Sequence, residues 1–342
     1  MASHAEMSIR IGIDLGGTKI EVIVLDGSGH CLMRERIATP QGDYAATLQA
    51  IVGLVALAKS SVGAGETPSS QIGIGIPGTE SAESGLIKNA NSTCLNGKPL
   101  RSDLQRLLGC DIRLANDANC FALSEATDGA ASGAAVVFGV ILGTGVGGGV
   151  VVNGQVLQGS NGIAGEWGHN PLPEFANETG DHDRICYCGR KHCVELYLSG
   201  LGLAHDHAYS QTTTNQQRRN GGFAERCSAP VERVGCAEPT LHASTYWQAQ
   251  DIVTAASAGD ASCEATLQRY ERRLARALAG VINILDPDVI VLGGGLSNIE
   301  RLYENVPRLW LAHVFSDTVK TQLVKPMHGD SSGVRGAAWL AQ

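Results

Sequence analysis

Cys186, Cys188 and Cys193 fall within eight residues, and His169 precedes them. Three soft thiolates and one imidazole are a tetrahedral donor set suited to Zn²⁺. With no fourth position left open, such a site is structural rather than catalytic. Free buried thiols are the simpler reading of a lone cysteine. Three cysteines at this spacing argue for a metal.

Two glycine turns are the next candidates. The first holds Gly16, Gly17, Thr18 and Lys19; the second holds Gly143, Thr144, Gly145 and Gly147. Gly143-x-Gly145-x-x-Gly148 fits the dinucleotide fingerprint, but that motif must open a helix. Here the strand-like VVVNG follows, so a nicotinamide cofactor is rejected. Gly12-IDLG-Gly17 with Thr18-Lys19 inverts the Lys-Thr order of a P-loop and also runs into a strand, IEVIVL. What remains is a pair of hairpin turns whose backbone N–H groups can approach phosphate oxygens. Thr18 and Thr144 add hydroxyls, and Asp14, at the end of the preceding strand, is placed to hold Mg²⁺ through water. Either turn alone reads equally well as a tight turn. Two in matching positions, with Gly293-Gly294-Gly295, favour a nucleotide.

Asp117 lies in NDAN, where a strand gives way to a helix. Such junctions supply both N-caps and cleft residues in α/β proteins. A carboxylate there can cap the helix, or orient an acceptor hydroxyl for phosphoryl transfer. Asn, Asp, Glu and His side chains along the chain also suit a ligand with many hydroxyls.

An internal repeat organises these residues. Gly16 aligns with Gly143, and the turn pair Asp26-Gly27 aligns with Asn153-Gly154; the offset is 127 in both cases (143 − 16 and 154 − 27). Each copy reads as strand, glycine turn, strand and DG or NG hairpin. The repeat predicts two similar α/β lobes, each led by a β-hairpin and facing a shared cleft. The first is expected over 1–118, completed by a C-terminal helix at 331–342. The second is expected over 119–330, with a zinc loop at 169–195. Helices are expected at Tyr44–Ser61, from Cys120, at Ala261–Ile284 and after Gly329; buried strands are expected at Ile72–Pro77, Ile112–Ala115 and Asp288–Gly295. From Ala208 to Thr240 the sequence is polar and aperiodic and reads as a surface insert or loop.

The bulk properties bound the partners. A chain of 342 residues suffices for two lobes, and its formal net charge of −8, with no basic cluster, argues against nucleic acid or an anionic membrane as partner. The 37 uncharged residues between Asp128 and Glu166 contain 12 glycines and an NG turn, which excludes a spanning helix. The N-terminal MASHAEMSIR has no apolar segment, so a cytoplasmic protein is expected, and its ten cysteines are not read as a disulfide framework.

In order along the chain, DLGGTK, GTGVGGG, GEWGH and CxCGxxxCxE resemble the ROK family of sugar kinases. The resemblance covers nearly the whole chain outside 208–240. It implies the two-lobed actin-like fold shared by sugar kinases, Hsp70 and actin, with ATP and a hexose in the cleft. It also implies Mg²⁺, a structural Zn²⁺ and a homodimer. Asp117 becomes the general base, and Asn91, Asn116, Glu166, His169 and Glu195 become sugar contacts. NANST and the following LNG are similar to the fructokinase branch, so fructose phosphorylated at its 6-hydroxyl is expected. Glucose, mannose and N-acetylated hexosamines are the alternatives, and a sugar-responsive regulator is a further one. The family's regulators carry a helix-turn-helix ahead of the first strand, and DLGGTK and Asp117 are intact here, which favours the kinase. One departure stands out: His192 occupies a position where relatives usually have Gly.

Overall fold

The computed structural model describes residues 9–62, 68–173, 184–219, 233–234 and 247–341. The first strands are β1 (Ile9–Leu15), β2 (Lys19–Leu25) and β3 (Cys31–Ala38), followed by helix α1 (Tyr44–Ser61) and β4 (Pro68–Ile76). The short β5 (Thr79–Glu80) and β6 (Ile87–Lys88) form a two-stranded antiparallel sheet. Helix α2 (Leu100–Leu108), β7 (Asp111–Asn116) and α3 (Asp117–Thr127) lead to β8 (Val136–Leu142), β9 (Val146–Val152) and β10 (Gln155–Val156). Then come β11 (Ile185–Cys186), α4 (Glu195–Leu198), α5 (Gly200–Arg219), β12 (Arg233–Val234), α6 (Ala249–Ser257) and α7 (Ala261–Leu285). The chain finishes with β13 (Val289–Gly293), α8 (Leu302–Trp310), β14 (Gln322–Val324) and α9 (Ser332–Trp339).

Two five-stranded sheets have corresponding orders, β3-β2-β1-β4-β7 and β10-β9-β8-β13-β14. In the first, β1–β2 and β2–β3 are antiparallel, while β1–β4 and β4–β7 are parallel. In the second, β9–β10 is antiparallel and β13–β14 parallel. The repeat offset of 127 maps Ile9–Leu15 onto Val136–Leu142 and Lys19–Leu25 onto Val146–Val152, the observed bounds of β8 and β9. The duplicated hairpins expected from the glycine and NG signals are therefore present strand for strand.

Glycine decides how the helices meet these strands. A Cβ on Gly12 of β1 would lie 2.3 Å from Ala338 N, and one on Gly73 of β4 would lie 1.7 Å from Ala337 O. Only glycine lets α9 lie that close to the sheet. Gly139, the repeat partner of Gly12, plays the same part for α3: its Cβ would fall 2.7 Å from the Ala122 Cβ.

Helix α1 has the length and apolarity of a membrane span, with mean hydropathy 1.2. It instead buries Leu48, Ile51, Leu54, Val55 and Ala58 in the core of the first sheet, at helical spacing.

By contacts the chain divides into Met1–Gly139 with Gly148–Gly165 and Pro326–Gln342, and Val140–Gly147 with Glu166–Lys325. This division differs from the break expected after residue 118. Helix α3 packs on Gly139 and on α9, which keeps it with the first unit. The C-terminal helix α9 falls in the first unit of this division.

Two local expectations are corrected. Helix α3 begins at Asp117, not Cys120, because Asn116 supplies the cap. Residues 208–219, expected as an irregular insert, continue helix α5. The helix is pinned by polar contacts: His207 Nδ1 meets Thr266 Oγ1 at 3.0 Å, Gln211 donates to Ser262, and Asp206 accepts from Arg269 and Arg273. Of the remaining 220–240, only β12 is described, paired in parallel with β11; the rest lies outside the described residues.

Candidate functional site

The functional residues of the first unit gather at the ends of β1 and β7. The β1–β2 turn is tied by Gly16 N to Lys19 O at 2.9 Å, and by the Thr39 hydroxyl, which donates to Gly16 O at 2.7 Å. Gly17 and Thr18 form its exposed tip. Asp14 is only partly exposed, and Cβ atoms on Gly75 and Gly333 would come 3.6 and 3.3 Å from its carboxylate. Burial pushes its pKa up to about 6; Asp117 and Glu21 add to the rise, and Lys19 and Arg36 oppose it. Glu21 stands opposite Asp14 in the β1–β2 register and is buried against Arg34 and Arg36.

Asp117 is exposed in the first turn of α3. The cap itself is Asn116, whose Oδ1 accepts from Ala118 N at 2.9 Å; Asp117 Oδ1 accepts from the same N–H at 2.8 Å. Asn116 and Asp117 thus share one backbone donor at the start of the helix. Asn116 Nδ2 donates to Gly78 O at 3.4 Å, and Asn91 N donates to Pro77 O at 3.1 Å. Both asparagines are thus held to the Pro77–Gly78 turn.

In the second unit, Gly143 N donates to Gly145 O at 3.0 Å, and Thr144 is exposed at the tip. Glu195 Oε2 accepts from Val146 N at 3.0 Å, and a Cβ on Gly145 would come 2.7 Å from the same oxygen. The Gly143 carbonyl accepts from Gly200 N at 2.8 Å, and Trp167 Nε1 donates to Gly147 O at 3.2 Å. Trp167 is buried and packs; Glu166, beside it, is exposed. Gly294, at φ +78°, sits where a Cβ would meet Leu142 O at 2.5 Å, so the Gly293–Gly295 turn abuts the strand that leads into Gly143.

His169, Cys186, Cys188 and Cys193 place one donor atom each within 4.8 Å of one another. Cys186 Sγ to His169 Nδ1 is 3.4 Å, and Cys188 Sγ to Cys193 Sγ is 3.6 Å. The edges of a tetrahedron built on Zn–S and Zn–N bonds are about 3.5–3.8 Å. Donor chemistry and spacing therefore fit zinc. Burial pushes the Cys186 and Cys193 thiols up. A divalent cation would reverse that by binding the thiolates. His192, at φ +61°, accounts for the glycine expected there, because the backbone is left-handed. Its Nδ1 lies 3.4 Å from the Tyr197 hydroxyl, and it is not among the four clustered donors.

Two features of the site were not anticipated from the sequence. Tyr187 places its hydroxyl 2.9 Å from His169 Nε2, and Glu21 sets a buried charge behind Asp14. The position of Tyr187 between two of the clustered cysteines was the available signal for the first.

The ROK family model matches residues 10–342. The chain belongs to the ROK family. Among curated relatives, it is 39% identical to the N-acetyl-D-glucosamine kinase of Vibrio cholerae serotype O1 (strain ATCC 39315 / El Tor Inaba N16961), over 96% of this chain and 98% of that one. It is 38% identical to the N-acetyl-D-glucosamine kinase of Salmonella paratyphi B (strain ATCC BAA-1250 / SPB7), over 96% and 98%. Among solved structures it is similar to the ROK hexokinase of Thermus thermophilus, with a TM-score of 0.74, 27% identity and 97% of each chain covered. It is also similar to a ROK glucokinase of Streptomyces griseus in complex with glucose and AMPPNP, with a TM-score of 0.68, 25% identity and coverage of 97% and 98%. The two curated relatives are named for N-acetylglucosamine, not fructose, so the fructokinase branch expected from NANST and LNG is not supported.

Proposed function

We propose that the protein transfers the γ-phosphoryl group of ATP to the 6-hydroxyl of N-acetyl-D-glucosamine. The observation carrying this reading is the 37–39% identity, across 96% of the chain, to proteins named for that activity.

The residues have roles consistent with it. Asp117, exposed at the start of α3, accepts the proton of the acceptor hydroxyl and holds its oxygen for in-line attack. Asn91, Asn116, Glu166, His169 and Glu195 hydrogen-bond the sugar. The turns Gly16–Lys19, Gly143–Gly147 and Gly293–Gly295 offer backbone N–H groups to the phosphates. Mg²⁺ would supply charge neutralisation at the phosphates, and Asp14 would hold it through water. Zn²⁺ would be held by His169, Cys186, Cys188 and Cys193 and would fix the loop that carries His169 to the one that carries Glu195. A cytoplasmic location accords with this chemistry.

The test is a coupled ADP-release assay with N-acetylglucosamine, glucose, mannose and fructose. The expected result is a kcat/KM for N-acetylglucosamine at least tenfold above the rest, or ~1.4 kcal/mol in transition-state binding. A best substrate without the acetamido group would overturn the assignment.

A further inference from the structure

Ser92 carries a hydroxyl whose partner is missing. Its oxygen is buried, and among the described residues nothing hydrogen-bonds it. An unpaired buried polar atom is destabilising, and each one in a native protein needs an explanation. The local partner is refused. Ser92 precedes the short 3₁₀ turn Thr93–Leu95, where a serine oxygen ordinarily caps the first backbone N–H groups. Its side chain makes no such bond, and the turn closes through Leu95 N, which donates to Ser92 O at 3.0 Å. The hydroxyl instead lies against the β1–β2 turn: a Cβ on Gly17 would come 3.5 Å from Ser92 Oγ.

The two sides of this contact differ in how they are held. The Asn96 side chain accepts from Ala90 N at 2.9 Å and donates to Ala90 O at 3.0 Å, which locks the loop carrying Ser92. Asn91 N donates to Pro77 O, and a Cβ on Gly78 would lie 2.9 Å from Ala90 Cα, so the loop is also packed against the Pro77–Gly78 turn. The glycine turn is fastened at its base through Gly16, and Gly17 stands exposed at its tip. Movement across the contact therefore belongs to the turn.

We propose that Ser92 is a positioning residue for the phosphate turn: when a nucleotide phosphate draws the turn in, Ser92 Oγ–H donates to the Gly17 carbonyl. That bond leaves the N–H groups of the turn to the phosphate. The Gly17 carbonyl and the Thr18 N–H belong to one peptide unit, so a donor on the first polarises the second toward the phosphate. A bond made only in the bound state adds to nucleotide affinity, because it favours that state alone. The inference rests on the nucleotide reading of the glycine turn given above.

The experiment compares Ser92→Ala and Ser92→Thr with wild type in the full-length protein. ATP binding in the presence of Mg²⁺ is read by titration calorimetry, and the ligand-free thermal midpoint is recorded alongside. Ser92→Ala should keep or raise the midpoint, because it deletes an unpaired buried group. It should weaken ATP binding by about 3–10-fold, the worth of one neutral hydrogen bond. Sugar KM at saturating ATP should not change. Ser92→Thr, which keeps the hydroxyl, should bind ATP as wild type does. An unchanged ATP affinity in Ser92→Ala would overturn the inference. So would a lowered midpoint, which would show the hydroxyl already bonded in the ligand-free protein. Wild-type protein that binds no ATP would instead sink the nucleotide reading itself.

Discussion

The Glu195 carboxylate accepts a hydrogen bond from the Val146 backbone N–H at 3.0 Å, so the segment leaving the cysteine cluster is fastened to the glycine turn before β9. Val146 is buried, so removing the acceptor strands a donor without water. Glu195→Ala should lower unfolding stability by about 1–3 kcal/mol. Glu195→Gln keeps an acceptor oxygen and should lose much less. Urea unfolding of both variants reads the difference; equal losses would mean the bond does not secure the turn.

Asp117 and Asn116 divide two jobs. Because Asn116 caps α3, Asp117→Asn should fold normally while kcat falls by roughly 10²–10⁴, the usual worth of a positioned general base. Asn116→Ala should cost about 1 kcal/mol of stability through the lost cap. Turnover and thermal midpoint of each variant separate the roles. Near-native turnover in Asp117→Asn would leave that carboxylate without a catalytic task.

Asp14 should make stability fall with rising pH. Its pKa goes from 3.8 to about 6 on folding, so the folded chain holds the proton more tightly. That contribution is complete below pH 4 and disappears as pH rises through 6. Above pH 6 the ionised carboxylate is a net cost, and Asp14→Asn should stabilise the ligand-free protein by about 1–3 kcal/mol. Near pH 4 wild type and variant should match. Denaturant unfolding at the two pH values checks the sign, and a variant less stable than wild type at pH 7 would refute it.

Metal content follows from the four clustered donors. The purified protein should carry about one Zn²⁺ per chain. Cys188→Ser should lower metal content and sugar turnover together. Metal analysis alongside the assay decides the point, and fully active protein without zinc would remove the site.

Features that depend on local chemistry were legible in the sequence. The hairpin duplication showed through Gly16, Gly143 and the DG and NG pairs at one common offset; of these, Asn153 and Gly154 are left-handed, a conformation few other residues tolerate. The cysteine cluster showed through spacing. Helix α5 past Ala208 did not, because its contacts run through Asp206, His207 and Gln211 rather than an apolar stripe. Nor did the start of α3, where either Asn116 or Asp117 could cap and only the backbone decides. The sugar is least legible of all. NANST sets small polar side chains on a loop, whereas discrimination between hexoses depends on pocket shape, which no single motif encodes.

The matched strand bounds of the two hairpins carry an electrostatic consequence. At the offset of 127, Asp14 corresponds to Ile141 and Glu21 to Gly148, while Gly12 corresponds to Gly139. The glycine that admits a helix persists in both copies, whereas the acidic pair survives in only one. The two hairpins therefore share the residue that sets helix-on-sheet packing and differ in the residues that set the local field, so one geometry serves two electrostatic environments.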